Sequence, residues 1–218
     1  MSPVMLSAFL ATFIAAFVTL FIVIDPIMVT PIFASLTRED TARERRKVAL
    51  EAAFIAAILL TFFGLAGTFM LHHLGISMAA FRTAGGLLLF LMGFRMFFEP
   101  DGEIEAKTPG PKASARENIA FFPLAIPLMS GPGAIATVML LMGPDKSPLE
   151  KGAALAAVYV TLLSGVFIMV FGGKLADGMG RTGMNVVSRL LGMLLMALST
   201  QYIFDGVREG ILERVAAG

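Results

Sequence analysis

The stretch 24-IDPIMVTPIF-33 sets Asp25, Pro26 and Pro31 inside a run that is otherwise apolar. Between Val4 and Leu36, Asp25 is the only charged residue. The run is longer than the roughly 20 residues that cross a bilayer core of about 30 Å, and Asp25 lies well inside it. An aspartate at the centre of a membrane helix costs at least about 2.5–3.5 kcal/mol. A proline inside a helix removes one backbone hydrogen bond and clashes with the preceding turn, at about 3 kcal/mol or more. Both penalties fall on neighbouring residues, so the stretch reads as a deliberate interruption of a membrane span.

The rest of the chain supports a membrane setting. Its 218 residues are 57% hydrophobic and 15% charged, with a mean hydropathy of +0.83. A soluble domain of this length has a polar surface to cover and is not so apolar throughout. Six stretches are long enough to cross, near 6–36, 48–71, 79–98, 119–142, 152–173 and 185–205. The fold class expected is an all-α, polytopic helical membrane protein. The net charge of +1 comes without a basic face, so no nucleic-acid partner is implied. Zero cysteines exclude disulfides, thiolate metal sites and cysteine nucleophiles. The N-terminus lacks the positive region of a secretory signal and reads as a retained first span. With no Trp and two Tyr, any interfacial aromatic belt is built mostly of Phe.

Lys and Arg near the span ends set the orientation. The loop 37-TREDTARERRK-47 carries five, the loop around 99–118 carries Lys107, Lys112 and Arg116, and 174–184 carries Lys174 and Arg181. The opposite side has Lys146 and Lys151, and Arg208 and Arg214 in the tail. Ten against four places the first set in the cytoplasm and both termini outside it.

The opening stretch has a partner later in the chain. Pro26 and Pro31 match Pro127 and Pro132 at an offset of 101, as Met28 matches Met129 and Gly64 matches Gly165. Ala52, Ala53 and Ala56 match Ala153, Ala154 and Ala157 at the same offset. The offset then becomes 107, pairing Arg82 with Arg189, Gly85 with Gly192, Leu91 with Leu198 and Phe97 with Phe204. The six transmembrane spans thus divide into two three-helix repeats, 1–98 and 119–218, joined by a cytoplasmic linker at 99–118. An odd number of spans per half inverts one half relative to the other. Inverted repeats with matching Gly/Pro interruptions point to a transporter's substrate site.

The proline-broken spans are then the first and the fourth. Proline suits the first position of a helix, after a capping residue. Asp25-Pro26, Thr30-Pro31 and Ser130-Gly131-Pro132 read as starts of half-helices near mid-membrane. A helix start carries free N–H groups and a partial positive charge, so it favours a carboxylate. Gly131 and Gly133 would let a ligand approach the backbone. The candidate substrate-binding residues are Asp25, Pro26, Thr30, Pro31, Ser130, Gly131, Pro132 and Gly133. Asp25 is also the candidate for a coupling ion.

The segments 23-VIDPIMVTPIFASLT-37 and 123-PLAIPLMSGPGAIATV-138 resemble the two signature segments of MarC-type membrane proteins. The fragments 81-FRTAGGLLLFLMGF-94 and 189-RLLGMLLMALSTQYIFDG-206 are similar to the same family, and the likeness covers nearly the whole chain. The first signature departs from the family pattern Asp-Pro-x-Gly-Asn-x-Pro, because Met28 and Val29 stand where Gly-Asn is the rule. Some relatives are grouped as neutral amino acid transporters. The resemblance implies a multi-pass protein of a bacterial inner membrane with that kind of activity.

Other charged and polar residues have plainer readings. Arg82 and Arg189 lie just inside their spans, where long basic side chains usually snorkel to the interface, with an inward ion pair as the alternative. Arg95 snorkels, and Asp205 pairs with Arg208 at the surface. His72 and His73, without a third ligand, read as exposed loop residues and not as a metal site. The faces Ala52/Ala53/Ala56/Ala57 and Ala153/Ala154/Ala156/Ala157 suit close helix packing. The charged run 38–47 reads as a solvated cytoplasmic loop.

The function expected is transport of a small solute such as a neutral amino acid. A channel and a non-transporting assembly protein are the alternatives. An enzyme would need a convergent nucleophile and base or a metal cluster, and the sequence supplies neither, nor a cofactor motif. The partners implied are the lipid bilayer, a small-molecule substrate, and a coupling proton or Na+. A homo-oligomer is left open. Single cysteines replacing Ala42 and Ser114 should react with an impermeant thiol reagent only from the cytoplasm, and one replacing Ser147 only from outside. Labelling of Ser147→Cys from the cytoplasm would overturn this orientation.

Overall fold

The computed structural model describes residues 3–98, 119–171 and 173–217. The expected linker at 99–118 lies outside them. Helix α1 (Pro3–Ile24) and α2 (Pro26–Leu36) are separated by Asp25 alone. Helix α3 (Ala42–His73) and α4 (Met78–Phe98) follow. The irregular helical segment Ala120–Met129 leads to α5 (Pro132–Leu141), then α6 (Pro148–Phe171) and α7 (Gly173–Ala217). Five apolar stretches are long enough to cross a membrane, or six when the bent pair Ala120–Met129 and α5 counts as one span. The chain is a helical, multi-pass membrane protein.

Four readings depart from expectation. Pro31 does not start a helix, because α2 runs through it. A proline there costs one bond, to the Ile27 carbonyl. The neighbouring Pro26 carbonyl takes a 2.8 Å hydrogen bond from Thr30 Oγ1. The expected loop at 174–184 is helical, since α7 is continuous over 45 residues. Part of the charged run is helical too: α3 has 32 residues, about 48 Å at 1.5 Å per residue. Its start is fixed at Thr41 by a capping box with Glu44. It also continues through His73, so the two histidines lie on its last turn and not in a loop.

Helix faces are sorted by size. Phe54, Ile58, Leu65 and Phe69 of α3, and Leu163, Phe167 and Phe171 of α6, face outward. Ala49, Ala52, Ala53 and Ala56 of α3, and Ala153, Ala154 and Ala157 of α6, are buried. Lipid is as apolar as any large side chain, so close backbone approach through small residues drives the packing. Helices α3 and α6 run antiparallel. Thr61 Oγ1 and Tyr159 Oη are 3.0 Å apart, and Arg46 and Leu50 line the same groove as Phe167 and Phe171.

The tightest contact joins α4 to α7, also antiparallel. A methyl group on Gly93 would stand 2.7 Å from the Gly192 carbonyl oxygen, and one on Gly86 3.0 Å from the Ser199 carbonyl. Ser188 Oγ donates to the Met96 carbonyl across the same seam. The broken spans pack crosswise, α1 and α2 on α6, Ala120–Met129 and α5 on α3. Gly93→Leu should therefore lower stability by about 1–3 kcal/mol through overpacking. Gly152→Ala, with nothing within 4 Å of the added carbon, should be neutral or raise it by about 0.5–1 kcal/mol. Thermal unfolding in detergent compares the two, and an unshifted Gly93→Leu would refute the seam.

Candidate functional site

Asp25 closes one helix and opens the next. Its N–H donates to the Phe21 carbonyl at 3.0 Å, completing the ladder of α1. Its backbone then turns left-handed, with φ 47° and ψ 63°. Aspartate tolerates that conformation better than most residues. Pro26 follows as the first residue of α2, where the helix it opens has no bond for its missing N–H to make. The Met28 N–H donates to Asp25 Oδ1 at 3.3 Å, so the carboxylate caps α2 from within the chain. Asp25 is 8% exposed. Among the described residues no basic side chain comes within 4.0 Å of it.

The second break is broader. Phe122 and Ile126 have extended backbones, with φ −130° and −125°. Each precedes a proline, which disfavours the helical region for the residue before it. Ser130 is buried and donates to the Ala125 carbonyl from its hydroxyl (2.7 Å) and its amide (2.9 Å). Helix α5 then leaves at 56° to the preceding segment. No side chain caps its start at Gly131, so its first N–H groups are the open helix start of the molecule's two breaks.

The breaks meet on α6. A methyl group on Gly165 would lie 3.5 Å from Pro26 Cβ and 3.6 Å from Met129 Cε, one residue from each break. Asp25, Pro26, Thr30, Ser130 and Gly133 are buried. The matched prolines Pro31 and Pro132 are both exposed and turn away from the junction. The two glycines have packing roles as well: a side chain on Gly131 would meet the Pro127 carbonyl, and one on Gly133 would meet Met92 and Leu89 of α4. Two surface grooves lie elsewhere, between α3 and α6 at Arg46 and between α4 and α7 at Ser77 and Gly210.

The family can be read across the whole chain. The description MarC family integral membrane protein matches residues 10–211. A UPF0056 membrane protein of Aquifex aeolicus is 34% identical over 192 residues, covering 86% of this chain and 88% of the relative. One of Methanocaldococcus jannaschii is 36% identical over 188 residues, 85% of this chain and 82% of the relative. This chain belongs to the MarC family. A further UPF0056 membrane protein, from Buchnera aphidicola subsp. Baizongia pistaciae, is 33% identical over 194 residues, 86% and 92% of the two chains. No solved structure matches.

Two outlying residues are placed differently from expectation. Arg82 takes the ion-pair alternative to snorkelling: it pairs with Glu209 of α7, lies 3.7 Å from Asp145, and its side chain is 12% exposed. Its repeat partner Arg189 is exposed. Asp205 accepts a hydrogen bond from Gln201 at 3.0 Å instead of pairing with Arg208. The residue that the sequence did not single out is Thr161, wholly buried on α6 one turn before Gly165. Its only signal is that spacing, on a helix face rich in alanine.

The dual role of Asp25 makes a stability prediction. Asn accepts the same capping bond and also tolerates the left-handed backbone, so Asp25→Asn should unfold close to the wild-type temperature. Asp25→Ala should lose about 1 kcal/mol or more. Equal melting of the Ala variant and wild type would show that the cap contributes nothing.

Proposed function

We propose that this MarC family protein transports a small zwitterionic solute of the neutral amino acid class. The substrate carboxylate binds at the start of α5 around Gly131–Gly133, and the ammonium, or a coupling proton or Na+, binds at Asp25. The observation that carries the reading is the junction at Gly165, where residues flanking both breaks touch one helix. Helix α2 already holds a carboxylate, that of Asp25, at its positive end. Helix α5 has no side-chain cap and offers the complementary end. Opposite charges are thus served on two sides of one junction, which suits a zwitterion better than a net anion or cation.

The crosswise packing supports the inverted-repeat reading, since each broken span rests on the long helix of the other half. So does the antiparallel seam of α4 and α7, the third helices of the two halves. Such folds bind substrate at discontinuous helices near mid-membrane. The role proposed is non-enzymatic, with no cofactor. The membrane proposed is a bacterial inner membrane, with both termini outside the cytoplasm.

Purified protein in liposomes, offered a panel of labelled neutral amino acids, should accumulate at least one of them. Asp25→Asn should abolish concentrative uptake while remaining folded. Uptake of none of the panel by the wild type would defeat the proposal, and full concentrative uptake by the Asn variant would leave Asp25 as a cap alone.

A further inference from the structure

Six threonines on or at the end of described helices share one habit. Thr19, Thr30, Thr37, Thr83, Thr137 and Thr200 each donate to the carbonyl four residues earlier, at 2.8–3.0 Å. Thr161 does not. Its Oγ1 is the only buried side-chain nitrogen or oxygen among the described residues without a hydrogen-bond partner, and the residue is 0% exposed. A buried hydroxyl left unpaired costs about 1–3 kcal/mol. Bonding back to the Ala157 carbonyl would remove that cost, so the hydroxyl is held off its own helix.

Its direction follows from helix register. Residues four apart lie on one helix face, so Thr161 shares the face that Gly165 turns toward Pro26 and Met129. Helices α2 and α3 form a hairpin, with the Arg45 guanidinium 5.6 Å from the Phe33 ring centroid. Since α3 runs antiparallel to α6, α1 and α2 run in the same direction as α6. One turn back from the contact between Gly165 and Pro26, Thr161 is therefore level with Ile22. The Ile22 carbonyl is the acceptor that Pro26, having no N–H, leaves without its helical donor. Asp25 lies between them in the chain, a carboxylate with a single N–H bond and no basic neighbour among the described residues.

We infer that Asp25, the Ile22 carbonyl and the Thr161 hydroxyl form an oxygen-lined site for a small cation. The cation is either a sodium ion or the ammonium group of the substrate. Three oxygen-bearing groups carrying one negative charge suit such a guest. Carbonyls at helix breaks serve sodium in the same manner in other transporter architectures. The inference rests on the junction proposed above as the transport site and gives it a third wall.

The test is binding, kept separate from transport. Wild type, Thr161→Val and Thr161→Ser are placed in lipid nanodiscs, and their thermal midpoints are followed in two titrations. One arm compares sodium chloride with choline chloride. The other compares alanine with propionate, which lacks the ammonium, in choline throughout. The wild-type midpoint should rise in at least one arm, and that arm names the guest. Thr161→Val should weaken the apparent affinity about tenfold or more, as loss of one bond to a charged group implies. Thr161→Ser should keep it.

Without ligand, Thr161→Val should be as stable as wild type or more so, because it removes an unpaired buried hydroxyl. Wild-type affinity in the Val variant, or a flat wild-type response in both arms, overturns the inference. So does a lowered unliganded midpoint for Val, which would mean that the hydroxyl bonds within the protein. If the cation response depends on Thr161 but no amino acid enters liposomes, this site stands and the transport proposal falls.

Discussion

The structure turns on one constraint: a chain in hydrocarbon has no water to satisfy its backbone, so every N–H and C=O needs a partner inside the protein. Pro26 breaks the ladder inside the first span, and Asp25 makes the break tolerable. One left-handed residue ends α1 with its own N–H and starts α2 with its carboxylate. The break then has to be covered by protein. Gly165 allows α6 to lie directly against Pro26, and the alanines before it keep the two backbones close. The small-residue face of α6 follows from the irregular backbone it shields.

The same constraint divides the molecule into a rigid and an interrupted part. Helices α4 and α7 meet backbone to backbone through Gly86, Gly93 and Gly192, with no interruption among their described residues. Such a seam has little room for side-chain rearrangement. The two broken spans, by contrast, carry Pro26, Pro31, Pro123, Pro127 and Pro132 among them. They lean on α6 and α3, whose contact surfaces are mostly alanine and glycine. Gly64 takes Val138 and Met142 of α5 against its bare face, and Gly67 takes Met139. Methionine is unbranched and flexible, so this contact can repack more readily than the glycine seam.

Hydropathy made the membrane spans legible, and Asp25-Pro26 made the first break legible, because both signals are local. The alanine faces could also be read, since period and residue size coincide there. Pro31 misled because a proline removes one helical bond without always ending the helix, and here α2 runs through it. The continuity of α7 through 174–184 was hidden by charged residues that are compatible with a helix extending beyond the bilayer. Arg82 needed its tertiary partners, Glu209 and Asp145, which lie 127 and 63 positions away. Thr161 was invisible for the opposite reason: a threonine on a helix normally bonds its own backbone, and only the coordinates show that this one does not.

Charge is handled differently at Arg82 and at Asp25. Arg82 is matched by two carboxylates at the outer ends of the helices, a full compensation of one charge by others. Asp25 is matched by a single N–H and the start of a short helix. A helix N-terminus is equivalent to roughly half a positive charge, so a carboxylate there is only partly neutralised. The partial charge of α5 starts nearby, yet α5 has its own uncapped amides and leaves Asp25 no hydrogen bond. In a membrane interior a net negative charge is costly unless something positive is drawn to it. The break therefore leaves the Asp25 carboxylate with fewer partners among the described residues than Arg82 has.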